Sequence, residues 1–465
     1  MANPFDRLGI MIVSPPAHDA TGEPSRKRVA ETDDDGAESN EAAAAPIPEH
    51  IVVNGLRYVA PYWIQVELCP KHQRQQQVIT LLDIVRQCGL KTKHPSLAWW
   101  LQELVALRLE LIIQKKHSLV TECGKKEVLR RRASPYDVIG DIPLDYQMFC
   151  LRGKYHFHEE PILDGKLQVV YEDDQYFVVD KPSGVDVLCN RDAGRVFHSL
   201  PGLLLTELGK SQIYPVHRID NPVSGLVCCG TTIKDAKRLS RRIELGQAQK
   251  TYLARVLVTS DAAARHLLDD EHLPMVIDAP IAWDTATSAA VVMGANFVQN
   301  QGAGNTIVKA KRSKTVITKC FGKTMLFHDS ASQTQPSYMA LIAIQPRTGR
   351  KHQIRCHLQH VGLPIANDKK YGGIAASPSL VPFPPSAEMI SCSPSSACQE
   401  QRLPAFFAGH FVDTCTHCHE GKDGDATRAK PARGVWLHSW RYEFPTLDLC
   451  FETSLPDWAK GLTAH

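Results

Sequence analysis

The chain has 465 residues, 43% of them hydrophobic, enough for two domains of ordinary size with a sizeable buried core. Its 53 lysines and arginines exceed its 50 aspartates and glutamates by only three. Net charge therefore makes no case for a nucleic-acid partner, and any such field has to come from local clusters. Fourteen cysteines lie scattered without a regular framework, Cys228 and Cys229 being adjacent, which fits a reducing compartment. With no run of eighteen apolar residues and no export signal at Met1, the expectation is an intracellular protein without a membrane partner. The cytoplasm is preferred over the nucleus and the mitochondrion, although Ser25-Arg26-Lys27-Arg28 has the look of a short nuclear address.

Residues 1–50 are expected to be a disordered tail, because from residue 14 onward they collect Pro, Ala, Ser, Glu and Asp and have almost no large apolar side chains to bury. Residues 51–150 turn globular and form a small auxiliary domain, with an extended Leu56-Arg57-Tyr58-Val59 and an apolar helical stretch around Leu97 to Ile113. Residues 151–465 form the main domain. It opens on the β-rich runs Leu167 to Tyr171 and Tyr176 to Val179, followed by Lys181-Pro182-Ser183-Gly184. A helix is expected between Thr232 and Gly246, with Ala236, Leu239 and Ile243 near one face and Gly246 as its stop. Two stretches look like insertions, one near 294–314, rich in Gly and Asn, and one near 375–434, rich in Pro, Ser and Cys. Basic clusters lie at Arg130-Arg131-Arg132, at Arg238 with Arg241-Arg242, and at Lys309 to Lys314.

The most informative stretch is His217-Arg218-Ile219-Asp220, followed by Ser224-Gly225-Leu226. In extended backbone, residues i and i+2 project to the same side, so Arg218 and Asp220 can face one substrate. Alone, such a pair is usually a solvated surface contact of little worth. Its company changes the reading: Lys250-Thr251-Tyr252-Leu253-Ala254 follows, and then Arg347-Thr348-Gly349-Arg350-Lys351-His352-Gln353-Ile354-Arg355-Cys356-His357. That block runs on to Gly362-Leu363-Pro364-Ile365, Asn367-Asp368 and Tyr371-Gly372-Gly373, and Leu437 to Tyr442 lies near the end.

In this order the blocks resemble the signature of the RluA family of RNA pseudouridine synthases, over about residues 150 to 465. His156-Phe157-His158-Glu159-Glu160-Pro161-Ile162 is similar to an element that precedes the catalytic domain in the eukaryotic, tRNA-directed branch, with Glu160 in place of a proline. The resemblance implies an α+β fold in which a mixed, mainly antiparallel sheet forms the catalytic domain. It implies an enzyme that needs no cofactor and converts uridine to pseudouridine, with tRNA the preferred RNA and large-subunit rRNA the alternative; a monomer is expected. The rival from another class is a catalytically idle RNA-binding protein of the same fold. Such a protein is expected to have lost Asp220, Tyr252 or Arg355, and all three are present.

The reaction breaks the bond from ribose C1′ to N1, turns the freed uracil and joins C5 to C1′, so it asks for a carboxylate at C1′ and for a base. Asp220 is the candidate carboxylate. A partly desolvated carboxylate stays ionised if a cation adjoins it, and the resemblance assigns that cation to Arg355. Arg355 is expected on a helix capped by Thr348 and ended at Gly362, beside an apolar stripe of Ile354, Leu358 and Val361. By resemblance, Tyr252 is the ring that stacks on the uracil and accepts its proton. Arg218 is suited to stacking and pairing with bases once the uridine has been drawn out of its helix. Lys250, Arg350 and His352 are expected to bind RNA, and His217 to be scaffold. The family's Thr-Ser-Gly becomes Val223-Ser224-Gly225, so Ser224 or the Pro222 constraint has to compensate wherever that hydroxyl holds the loop in other members.

Cys415-Thr416-His417-Cys418 can grip one face of a zinc ion, but a second pair is required. Cys392 and Cys398 are near in sequence and widely spaced, so no metal is expected. A zinc-deaminase reading of His158-Glu159-Glu160 with Cys415 fails, because Thr414 stands where that motif has proline.

Overall fold

The computed structural model describes residues 11–12, 47–53, 56–68, 80–87, 95–115, 128–137, 146–189, 195–258, 268–293, 307–325, 338–373, 407, 410, 412, 415, 418 and 434–460. The N-terminal part contains β1 (Met11–Ile12), β2 (His50–Val53), β3 (Leu56–Val59), β4 (Tyr62–Leu68), α1 (Leu81–Gln87), α2 (Leu97–Val105), β5 (Glu110–Lys115), β6 (Val128–Arg132), β7 (Tyr146–Phe157) and β8 (Ile162–Leu163). Five of these strands form one antiparallel sheet in the order β1-β4-β7-β5-β6, while β2, β3 and β8 make a second. Along β4 buried Tyr62, Ile64, Val66 and Leu68 alternate with more open positions, the period-2 pattern of a strand with one face on a core. That face packs on Trp100 and Leu104 of α2 and on Leu81 and Val85 of α1.

The main domain follows with β9 (Gln168–Glu172), β10 (Tyr176–Lys181), α3 (Leu200–Leu208), β11 (Tyr214–Pro215), β12 (Ser224–Gly230), α4 (Ile233–Glu244) and β13 (Gln249–Val258). Next come β14 (Met275–Asp278), β15 (Ile281–Asp284), β16 (Ala289–Val292), β17 (Ile307–Lys311), β18 (Lys314–Met325), β19 (Tyr338–Pro346), α5 (Gln353–His360), β20 (Leu437–Phe444) and β21 (Leu449–Glu452). Ten strands join one sheet around the path β14-β18-β19-β13-β20-β12-β10-β9. Every pairing in it is antiparallel except β12 with β20, so the sheet is mixed and mainly antiparallel, as expected. Strands β12, β13 and β19 are buried almost throughout and read as near-continuous apolar runs.

Several expectations are corrected. Residues 107–113 do not continue the helix of Leu97: α2 ends at Val105, Leu107 turns at φ 58°, and the β-branched Ile112-Ile113 enter β5. Met11 and Ile12 of the supposed tail pair with β4, and most of residues 1–50 lie outside the described residues. The expected boundary at 150 falls inside β7, and β8 still pairs with the N-terminal β3. Most of 294–314 and of 375–434 is outside the described residues, except that the first ends in β17. Eight described cysteines are free thiols, whereas Cys150 is disulfide-bonded, a departure from the reduced chain expected. Among the described residues no helix is long and apolar enough to cross a membrane.

Candidate active site

One cavity of about 420 Å³ gathers the charged residues of the main domain, within the roughly 300–1,000 Å³ usual for small-molecule pockets. Asp220, Tyr252, Arg355, Arg218, Lys250, Arg350 and His352 all line it. They come from four places in the chain. Residues 218–220 precede the turn into β12, residues 250 and 252 lie on β13, 350 and 352 end the approach to α5, and 355 is on α5. Around Asp220, Ile219 is buried while Arg218 is exposed and Asp220 half-buried, the alternation that extended backbone produces.

Arg355 is the keystone. It is buried, and its Nη1 donates to Asp220 Oδ2 at 3.3 Å. Its Nε and Nη2 donate to the two carboxylate oxygens of Asp368 at 2.6 and 2.8 Å, and its guanidinium lies 4.9 Å from the Tyr371 ring centre. Burial works against the charge of Arg355, but the bonds to Asp368 and the charges of Asp368 and Asp220 outweigh burial and hold it protonated. A bidentate clamp through Nε and Nη2 turns Nη1 toward Asp220, so its direction is fixed before any substrate arrives. Asp368 carried no role in the sequence reading. Its place in the Asn-Asp step after Pro364-Ile365 was the available signal, and only the turn at Asn367, with φ 65°, brings it back under α5.

His352 stands at the N-terminus of α5 with φ 55°, a left-handed conformation that costs a residue other than glycine free energy. The Tyr371 hydroxyl accepts the Ala290 N–H and meets His352 Nδ1 at 2.8 Å, while His352 Nε2 lies 3.8 Å from Asp220. Burial pushes the imidazole down to about 4, against the pull of Asp220, so at neutral pH the cation that serves Asp220 is Arg355. Thr348 is not the helix cap expected. Its hydroxyl donates to the Gln353 side chain at 2.7 Å and accepts the Lys314 N–H at 3.0 Å, tying the approach to α5 onto β18. The apolar stripe is as read, with Ile354 and Leu358 buried in the main core and Val361 against it, and Gly362 adopts φ 77° two residues past the helix end.

Tyr252 projects into the cavity from β13, where the pairing with β20 slips between Thr251 and Tyr252. Such a bulge re-aims a side chain. The Tyr252 hydroxyl lies 3.2 Å from that of Tyr442, whose ring stacks on His217 at 4.6 Å and 11°. His217 Nε2 accepts the Cys228 N–H at 3.1 Å, so a neutral ring carries its proton on Nδ1, 3.4 Å from the Tyr442 hydroxyl. Burial pushes His217 down to about 3 and keeps it neutral, which suits the scaffold role read for it. Tyr442 can then pass its own proton toward Tyr252. Burial raises the pKa of Tyr252 and the Tyr442 bond opposes that only in part, so Tyr252 rests as a phenol.

The Asp220 turn is secured from beneath. The fully buried Lys181 donates to the carbonyls of Pro182 and Val185 at 2.9 and 2.8 Å and to that of Asn221 at 3.4 Å. Burial pushes its ammonium down to about 7, with Asp186, Asp180 and Asp220 pulling the other way. Val223, in place of the family's threonine, is buried in the apolar core. Ser224 bonds His438 Nδ1 at 2.8 Å, and the Pro222 carbonyl accepts from the Ser183 hydroxyl and the Val435 N–H, so both positions help to hold the turn. At Gly225, φ 113°, an added Cβ would stand 2.3 Å from the Ser439 carbonyl oxygen, and only glycine fits.

Residues 175–360 match a family described as RNA pseudouridylate synthase. The chain is 27% identical over 338 residues to the tRNA pseudouridine(31) synthase of Saccharomyces cerevisiae (strain ATCC 204508 / S288c), covering 66% of this chain and 76% of that one. It is 27% identical over 326 residues to RNA pseudouridine synthase 7 of Oryza sativa subsp. japonica, covering 65% and 72%. Among solved structures, human RNA pseudouridylate synthase domain containing 1 aligns with a TM-score of 0.38 at 18% identity, covering 64% of this chain and 86% of that one.

Proposed function

Because the chain carries a pseudouridylate synthase domain of the RluA type, which isomerises uridine in RNA, we propose that its RNA is a tRNA and that Asp220, Tyr252 and Arg355 carry the reaction. The observation that supports these roles is the 3.3 Å pair of Arg355 and Asp220 on the wall of a cavity able to admit a nucleoside. Asp220 attacks ribose C1′ or stabilises positive charge there, and the electron pair of the broken C1′–N1 bond leaves with the uracil. Held against Tyr252, the ring turns until C5 faces C1′, and the C5–C1′ bond forms as the carboxylate is released. C5 then gives up its proton and N1 takes one, so no atom is gained or lost and no redox partner is needed. Since Tyr252 rests as a phenol, it takes the C5 proton only after giving its own to N1, and the Tyr442 hydroxyl that donates to it steadies the phenolate between the two transfers.

Arg218, Lys250 and Arg350 at the cavity wall are the groups for phosphates and the vacated stack. A monomer is the proposed state, and gel filtration with light scattering tests it. The cytoplasm remains the proposed compartment, and fractionation tests it. The central experiment measures release of hydrogen from C5 of labelled uridine in transcribed tRNA. The wild type is expected to release it and Asp220→Ala not to; equal rates would overturn the catalytic assignment. Release from ribosomal transcripts alone would move the substrate to rRNA.

A further inference from the structure

Far from Asp220 in the chain, the His-Phe-His end of β7 meets the Cys-x-x-Cys segment of the second insertion. We propose that His156, His158, Cys415 and Cys418 bind one zinc ion that clips the insertion to the N-terminal sheet. The second pair is thus not Cys392 and Cys398, which lie outside the described residues, but two histidines more than 250 residues upstream. This goes beyond the isomerase reading and does not rest on it.

The distances carry the argument. The four donor atoms all lie within 4.8 Å of one another. His158 Nε2 is 3.2 Å from His156 Nδ1, 3.3 Å from Cys415 Sγ and 3.7 Å from Cys418 Sγ, and His156 Nδ1 is 3.5 Å from Cys418 Sγ. A tetrahedral zinc with Zn–N near 2.05 Å and Zn–S near 2.3 Å has edges of about 3.3 Å between nitrogens, about 3.6 Å from nitrogen to sulfur and about 3.8 Å between sulfurs. The four distances follow those edges. Hydrogen bonding alone fits less well, because one ring nitrogen has a single proton or a single lone pair and here faces three partners at once.

Both halves of the site are held by their own surroundings. His156 pairs in register with Trp63 on β4, its ring 4.9 Å from the indole, and His158, two residues on, projects to the same side. Next to it, Glu159 is pinned by the Phe197 and His198 N–H groups at 2.7 and 2.9 Å and by the Tyr62 hydroxyl. On the other side the Cys415 N–H donates to the Val412 carbonyl, the Val412 N–H donates to Cys418 Sγ at 3.4 Å, and Phe407 sets its edge against Tyr58. Two thiolates with two imidazoles are soft and borderline donors that select zinc over calcium or magnesium. Four protein ligands leave no open position, so the ion is structural. Binding it releases the two thiol protons and closes a loop of more than 250 residues.

The test uses the full chain expressed in zinc-supplemented medium, with metal content per chain measured after gel filtration. About one zinc per chain is expected in the wild type and in Cys450→Ser, an exposed free cysteine that serves as control. Near zero is expected in Cys415→Ser and His158→Ala. Should those variants fail to fold, the wild type reloaded with cobalt(II) decides: four-coordinate visible bands with thiolate charge transfer support the site. Retention of zinc by both variants, a six-coordinate cobalt spectrum, or a metal-free wild type that takes up neither ion overturns it and leaves a hydrogen-bonded thiol and imidazole cluster.

Discussion

Two polar clusters in this chain solve the same problem in opposite ways. Around Arg355 opposite charges pair within the protein: a guanidinium lies between two carboxylates, one sealed at 1% exposure and the other 20% open to the cavity. Around His158 all four groups can offer a lone pair to one point, and the cation we propose there comes from outside the protein. The difference separates the proposed reactive site from the proposed structural one. A cluster whose ions pair within the protein can leave one edge uncovered for a substrate, whereas a cluster balanced by a metal closes on the metal completely.

Breaking the comparison on the reactive side should have the largest effect. Asp220→Ala should cut the rate of C5 hydrogen release by a factor on the order of 10³ or more, with thermal stability nearly unchanged, because Asp368 still pairs Arg355. A comparable loss of stability would show that Asp220 is part of the fold rather than its open edge. Asp368→Ala should behave differently and cost stability as well, by about 3–5 kcal/mol in urea unfolding, since it leaves a buried guanidinium with one partner. If it unfolds like the wild type, the clamp is not what orders the site.

Smaller effects sharpen the picture. Tyr252→Phe keeps the ring and loses the hydroxyl, so RNA affinity should hold while turnover falls by about 10²-fold, at the lower end of general acid–base contributions. Unchanged turnover would confine Tyr252 to stacking. Arg350→Ala should weaken RNA binding at low salt and lower the slope of log affinity against log salt by about one, with single-turnover chemistry on saturating RNA intact. An unchanged slope would remove Arg350 from the phosphate contacts.

Much of the reactive site was legible because its groups sit inside short continuous motifs, and all seven residues expected in it line one cavity. The helix from Thr232 was equally plain: Thr232 accepts the Asp235 N–H as its N-cap and Gly246 turns at φ 69°. Less legible were the partners that fix those groups. Asp368, Tyr371 and Tyr442 stood within quoted motifs, but nothing in their spacing shows that they point back at Arg355, His352 and Tyr252. The stretch after Leu97 misled because Leu109, Leu111 and Ile112 are apolar enough to prolong a helical pattern, while the chain reverses at Leu107.

By itself the sequence determined which chemical groups are available and which neighbours share a side, since those follow from a backbone period of 2 or 3.6 residues. Only the tertiary structure decided that Arg355 meets Asp220 across 135 residues and that His158 meets Cys415 across 257. Contacts at such separations are set by sheet register and by the burial of apolar faces, which no local spacing encodes.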